Sequence, residues 1–281
     1  MRKVLLIGLV VALSGCSAGR LVQDAAIDCN SCVAWNEPHE PVQIAENTWY
    51  VGTAGLSSIL IATSDGLILL DGALPQSAPL IAENIESLGY SLRDIELIGL
   101  SHAHYDHSGG IAALARASRA RVVALAPQAE ALRLGRVTPD DPQYPSRPFP
   151  AVEQVEVIED GWSVRMGYIR LTAVATPGHT PGGTSWLWND CIGEECYDIA
   201  YVDSLTPISA QGFRFSNGIG DVLRQTTEIV ADLECEIFLA PHPGRFGFAD
   251  GPPFINPDGC GDYAASTNER LDERLAEEAS D

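Results

Sequence analysis

From residue 42 onward the chain alternates short apolar runs with turn-forming residues. Residues 42–45, 48–52, 57–62 and 66–70 read as strands. They are cut apart by Glu46-Asn47, Thr53-Ala54-Gly55 and Ser64-Asp65-Gly66. The run Leu67-Ile68-Leu69-Leu70 is wholly apolar and stops at Asp71-Gly72. A helix is predicted over 75–88, with Pro75 in its first turn and Gly89 closing it. A strand over 95–100 follows, then a helix after Gly110, a strand over 121–125 and a short helix over 127–134. Residues 138–150 hold Pro139, Pro142, Pro145 and Pro148, which predicts an irregular loop or flap. The second half begins again with strands, at 154–158, 163–166 and 168–175. A loop over 176–180 leads to a strand over 184–188, a polar turn over 189–195 and a strand over 197–202 that ends at Asp203-Ser204. A helix over 220–232, a strand over 237–239 and a charged surface helix from Asn268 to the end complete the pattern. Each half therefore runs strands first and helix–strand afterwards. That order predicts an α/β chain of two mixed sheets packed face to face with helices outside, an αββα four-layer sandwich.

The N-terminal pattern is different. Arg2 and Lys3 precede a ten-residue apolar run over 4–13, too short to span a bilayer and of the length of a secretory core. Leu13-Ser14-Gly15-Cys16 resembles the bacterial lipoprotein processing box, which implies removal of residues 1–15 and a lipid on Cys16. A conventional cleavage near Ala18 is the alternative. Residues 16–40 show little periodicity and read as a tether before a single domain over 41–281, with His39 a surface residue. The expected place is the periplasm, at a membrane.

The formal net charge of −21 shows no long charged block. It disfavours nucleic acid as a partner, because phosphate binding needs basic patches. Of seven cysteines, six remain if Cys16 carries lipid: Cys29, Cys32, Cys191, Cys196, Cys235 and Cys260. An even number in an exported chain suggests disulfides, and fifteen pairings are open. Proximity in the chain favours Cys29–Cys32 and Cys191–Cys196, which leaves Cys235 with Cys260. A thioredoxin-like role for Cys29-x-x-Cys32 is disfavoured, since no strand precedes it and no helix follows.

Five of the six histidines stand at predicted strand ends: His102, His104, His107, His179 and His242. His102-Ala103-His104-Tyr105-Asp106-His107 places three imidazoles and a carboxylate within six residues, where a strand hands over to a helix. Residues i and i+2 of an extended segment can converge on one point. Asp106 and His107 sit where the chain turns, so they can face another. Imidazole and carboxylate together suit zinc better than calcium or magnesium. Asp71 is either a turn residue or a carboxylate that orients the histidine loop.

The His-x-His-x-Asp-His run, the lone histidine in Pro177-Gly178-His179-Thr180 and the histidine after a strand in Pro241-His242-Pro243 are similar to the metallo-β-lactamase superfamily. Thr180–Trp186 and Asp203-Ser204-Leu205-Thr206-Pro207 resemble the third subclass of the class B β-lactamases. The resemblance implies a first zinc on His102, His104 and His179, and a second on Asp106, His107 and His242. It also implies a disulfide between Cys235 and Cys260, as in that subclass. Zinc lowers the pKa of bound water from about 15.7 toward about 7, so hydroxide exists at neutral pH. The implied reaction is hydrolysis of the β-lactam amide of antibiotics by that hydroxide. Asp106 would orient it and take its proton, and Ser204 and Thr206 would hold the substrate carboxylate. Many hydrolases of the superfamily instead carry a metal-bridging aspartate at about Asp203, which would point to a lactonase, a glyoxalase II or another esterase. A glyoxalase II normally adds a helical region, and 39 residues follow His242 here. A non-catalytic zinc-binding lipoprotein is the remaining alternative, although structural zinc sites usually close all four positions.

Overall fold

A computed structural model describes residues 21–248, 251–252 and 254–280. After one turn of helix, α1 (Cys32–Trp35), the chain builds a seven-stranded sheet in chain order. Its strands are β1 (Val42–Gln43), β2 (Thr48–Tyr50), β3 (Ile59–Thr63), β4 (Gly66–Leu70), β5 (Ile95–Gly99), β6 (Arg121–Leu125) and β7 (Glu156–Ile158). The first four pair antiparallel. From β4 the pairing turns parallel, which requires crossovers. These carry α2 (Ala78–Ser87), α3 (Tyr105–Ser108) with α4 (Ile111–Ser118), and α5 (Ala126–Leu134). The second sheet holds β8 (Ser163–Met166), β9 (Ile169–Ala175), β10 (Thr184–Ile192), β11 (Glu195–Tyr201) and β12 (Ile237–Leu239), in reverse order. The crossover between β11 and β12 contains α6 (Ile219–Ala231), and α7 (Gly259–Ser280) closes the described chain. The expected αββα sandwich is present.

The apolar runs explain the layering. Along β4, Ile68 and Leu70 enter the core shared with Trp186 and Tyr201 of the second sheet. Leu67 and Leu69 enter a second core with Ile81 and Ile85 of α2 and Leu114 of α4. The strand is buried on both faces, so it has no polar side. Val122 and Val123 of β6 divide in the same way.

Four expectations need correction. The polar stretch 189–195 is not a turn: β10 and β11 run on to a two-residue turn, with Cys191 opposite Cys196. Asp190 is 1% exposed there. It accepts from Asn47 N at 2.9 Å, Asn47 Nδ2 at 3.0 Å and Thr48 Oγ1 at 2.7 Å. Its partners lie 142 and 143 residues away, so no local pattern shows that it is buried. The last helix begins at Gly259, nine residues before Asn268. Gly259 and Gly261 mask a face formed by Cys260, Tyr263, Ala264, Thr267 and Leu271, all buried. The stretch up to residue 40 is not a free tether from Leu21 onward. Leu21, Ile27, Cys29 and Trp35 pack against the helix-side core, and Gln76 bonds both Ile27 N and Ile27 O at 3.2 and 2.9 Å. His39, expected at the surface, is half-buried, its ring 4.9 Å from that of Phe248. The signal segment and Cys16 lie outside the described residues, and no described helix is long and apolar enough to cross a membrane.

The disulfides are Cys29–Cys32, Cys191–Cys196 and Cys235–Cys260, the pairing that proximity favoured. The last turn of α7 is tied down by charge. Glu278 accepts from Phe215 N at 2.8 Å, Ser216 N at 2.9 Å and Arg274 Nε at 2.9 Å. Burial pushes its carboxyl up, but these donors outweigh burial and hold it at about 2. A depressed carboxylate stabilises the fold above its unfolded pKa and loses that contribution as pH falls toward 2. Glu278→Gln is therefore expected to lower the melting temperature by a few degrees at pH 7. Thermal scans from pH 7 to pH 3 should show the gap to wild type closing.

Candidate metal centre

Every histidine of the centre leaves the carboxyl end of a strand. β5 ends at Gly99, and the next carbonyls are pinned by buried donors. Trp186 Nε1 donates to Leu100 O at 3.0 Å, and Thr184 N and Gln128 Nε2 donate to Ser101 O at 2.8 and 3.0 Å. His104 is extended, with φ −93° and ψ 156°, and is the N-cap of α3, which begins at Tyr105. That change of backbone makes the run face two points, as its spacing predicted. β9 leads to His179, β11 to Asp203 and Ser204, and β12 to His242. Gly183 allows the ends of β9, β10 and β11 to come together in the second sheet. A Cβ there would lie 2.3 Å from Asp203 Oδ2 and 2.4 Å from Thr176 O.

The ligand atoms of His102, His104 and His179 lie within 4.8 Å of one another, and so do those of Asp106, His107 and His242. The rings of His102 and His107 join the two groups at 4.4 Å. In the first group each outer nitrogen has a partner. His102 Nδ1 meets Asp203 Oδ1 at 2.7 Å, His179 Nδ1 meets Thr206 O at 2.8 Å, and His104 Nε2 meets Asp141 at 3.2 Å. A neutral imidazole carries one proton, and an acceptor keeps that proton on the nitrogen it faces. The lone pairs then remain on His102 Nε2, His104 Nδ1 and His179 Nε2. Three neutral imidazoles with a shared focus leave a divalent ion one open position. In the second group Asp106 Oδ2 lies 3.3 Å from His107 Nε2 and 3.7 Å from His242 Nε2.

The electrostatics fit the same reading. Burial, reinforced by the neighbouring histidines, pulls His102 well below the ordinary histidine pKa and His179 down to about 3. Burial and the His107 charge bring His242 to about 4. These rings are neutral at pH 7, the form that binds metal. Burial also acts downward on His107, but the charge and hydrogen bond of Asp106, with Asp71 behind, raise it to about 10. His107 charge conversely holds Asp106 below the usual carboxylate range, against the effect of burial. Four buried imidazoles, the half-buried His242 and a carboxylate, converging in two sets of three, form a dinuclear metal site.

Asp71 stands behind the second group. It ends β4 with φ of 64°, a left-handed conformation that Asp tolerates better than most residues. It is also more than a turn residue. Its carboxylate accepts from Ser101 N at 2.6 Å, Ser101 Oγ at 2.7 Å and Tyr201 Oη at 2.5 Å, and lies 3.6 Å from His107 Nδ1.

Asp203 does not lie between the two groups. It is fully buried, and its carboxylate faces the outer nitrogen of His102. Ser204 lines the adjoining cavity, and Asp203 does not.

The chain matches a family model described as the metallo-β-lactamase superfamily over residues 52–191. It is 40% identical to the Rm3 metallo-β-lactamase, with a TM-score of 0.86 over 90% of this chain and 100% of that one.

The chain belongs to the metallo-β-lactamase superfamily.

Within that superfamily it is also similar to MEM-A1, a subclass B3 enzyme from a soil metagenome library. The identity is 38% and the TM-score 0.84, over 88% of this chain and 99% of that one. The resemblance to the third subclass drawn from the motifs is borne out by these matches. Likeness to curated proteins is partial. The chain spans 60% of one such relative and 36% of another, the hydroxyacylglutathione hydrolase of Rhodopseudomonas palustris (strain BisB5). It is 32% identical to the latter over 117 residues, or 41% of this chain.

Beside the metal groups this metallo-β-lactamase-fold chain has a cavity of about 320 Å³. Ser204, Thr206 and His242 line it, with Trp35 and Ile208 as apolar walls and Arg245 at the rim. Trp35 was not singled out from the sequence. Its ring lies 5.4 Å from that of His242, and Thr53 Oγ1 donates to its carbonyl. Asp141 and Gln143 were missed too. Gln143 Nε2 lies 3.4 Å from both His104 Nδ1 and His179 Nε2. Neither Asp141 nor Gln143 belongs to a recurring spacing, so pattern alone offered no signal for them.

Proposed function

We propose that this chain hydrolyses the amide bond of β-lactam antibiotics with two zinc ions, and so confers resistance. The observation that carries the reading is that Ser204, and not Asp203, lines the cavity beside the metal groups. The aspartate lies behind His102, where it cannot bridge two ions, and Ser204 lines the cavity with Thr206. A wall of two hydroxyls beside the metal groups suits a substrate that carries a carboxylate next to its reacting amide.

Two bound ions would supply Lewis acidity at the lactam and acidify the attacking water. The chain's residues do the rest. Ser204 and Thr206 hold the substrate carboxylate, with Trp35 and Ile208 against its apolar parts. Asp106 orients the water and accepts its proton on Oδ1, the oxygen not turned toward His107 and His242. That proton passes to the lactam nitrogen as the C–N bond breaks. No side chain bonds covalently to substrate, so no serine nucleophile and no triad take part. The same proposal places the protein outside the cytoplasm, held at a membrane through Cys16.

A panel of penicillins, cephalosporins and carbapenems beside lactones and glutathione thioesters tests the reading. The expected result is lactam turnover that a chelator abolishes and zinc restores. Turnover confined to lactones or thioesters would reject it. Ser204→Ala is expected to raise KM for a carboxylate-bearing β-lactam by about tenfold with kcat little changed, since it removes one hydrogen bond to a charged group. Steady-state kinetics on one penicillin checks this.

A further inference from the structure

The proline-rich loop 138–150 takes no part in the chemistry above, yet it buries a carboxylate against the metal centre. Asp141 is 4% exposed, and both its oxygens lie 3.2 Å from Nε2 of His104. The loop folds around that residue. Gln143 N donates to Asp141 Oδ1 at 2.8 Å, Asp141 N donates to Thr138 O at 3.0 Å, and Tyr144 N donates to Asp141 O at 3.0 Å. One further bond, from Ala210 N to Pro142 O at 2.9 Å, joins the loop to the segment after β11. That segment carries Thr206, whose carbonyl holds His179.

We propose that Asp141 is the positioning residue of the first metal group: it keeps the proton of His104 on Nε2, turns the Nδ1 lone pair toward His102 and His179, and so ties loop 138–150 to the bound ion. The inference rests on the two-metal reading above and not on the identity of the substrate.

The three ligands of this group are steadied in different ways. His102 is backed by Asp203, at the end of a core strand. His179 is backed by a carbonyl. His104 is backed by a carboxylate from the proline-rich loop. A carboxylate behind a ligating imidazole fixes its tautomer and orientation and makes it a better donor, and loss of such a partner weakens metal binding about 10–100-fold. The coupling is reciprocal: an ion that requires His104 in this orientation stabilises the loop conformation that provides it. The loop in turn forms part of the frame around Thr206, on the substrate side of the cavity.

The experiment measures stepwise zinc affinities of the full chain by competition with a chromophoric chelator. Ring ¹⁵N shifts of His104 and His242 tell the two groups apart. Asp141→Ala is expected to weaken the first group about 10–100-fold. Asp141→Asn keeps an acceptor without the charge and should lie between that variant and wild type. The second group should stay within about twofold in both. In the metal-free Asp141→Ala chain, long-range ¹H–¹⁵N spectra should show His104 spread over both tautomers. Zinc should slow amide exchange at Gln143 and Tyr144 in wild type and not in Asp141→Ala. Wild-type affinities in both variants, or an equal loss at both groups, would overturn the proposal. A wild-type chain that takes up fewer than two ions overturns the two-metal reading and this inference with it. Two ions bound with unchanged affinity in the variants overturns only the role of Asp141.

Discussion

Replacing His104 with alanine should cut turnover of a β-lactam by at least about a thousandfold and leave one bound ion per chain in place of two. The first group has no spare donor. Its three imidazoles converge within 4.8 Å, and the nearest other candidates, Asp141 and Asp203, face outer nitrogens and not the focus. Removing one ligand leaves a two-imidazole site whose remaining positions are open to water. His104 also caps α3: its carbonyl accepts from His107 N at 3.0 Å and Ser108 N at 2.8 Å. Those are backbone bonds that alanine keeps, so Asp106 and His107 should stay in place and the second group should still load. Metal content by elemental analysis, read beside kcat, separates this outcome from general unfolding. Wild-type rates in the variant would mean that the ligand assignment is wrong.

Asp71→Ala is expected to give the largest loss of stability of any single change at the centre, about 3–5 kcal/mol. The substitution strands three buried donors at once: Ser101 N, Ser101 Oγ and the hydroxyl of Tyr201. Burial raises the Tyr201 hydroxyl well above the ordinary tyrosine pKa, and the Asp71 charge adds to this. The hydroxyl therefore stays protonated and needs an acceptor. The backbone adds to the cost, because φ of 64° disfavours alanine more than aspartate. Asp71→Asn keeps an acceptor and a side chain suited to that conformation, and should lose only about half as much. Urea denaturation of both variants in the presence of a chelator isolates the fold from metal binding. A loss under about 1 kcal/mol in Asp71→Ala would show that these bonds do not hold β4 to the histidine turn.

Most of the centre was legible in the chain because its chemistry is local. His102, His104, Asp106 and His107 fall within six residues, and an extended stretch followed by a helical turn aims them at two points. His179 and His242 each follow a strand that apolar runs made visible. β4, β6, β8 and β12 were placed to the residue, since their two-sided burial or flanking turns leave sharp edges.

What escaped was long-range and polar. Asp190 looked like part of a turn because nothing nearby shows that Asn47 and Thr48 bond it. Trp35 and Ile27 looked like tether because a segment with no periodicity can still dock by a few side chains. Asp141 sat among prolines with no partner in sight, and its contact with His104 spans 37 residues.

The chain alone determined which side chains could bind metal, because donor type and spacing are properties of the local sequence. It also determined the two-sheet architecture, because strand burial is written in the runs of apolar residues. Only the tertiary structure decided which nitrogen of each histidine is free and whether Asp203 or Ser204 faces the cavity. Successive residues after a strand point opposite ways, and their direction depends on how β11 is set against β5. That setting is fixed by contacts such as Trp186 with Leu100 and Thr184 with Ser101, which no stretch of sequence displays.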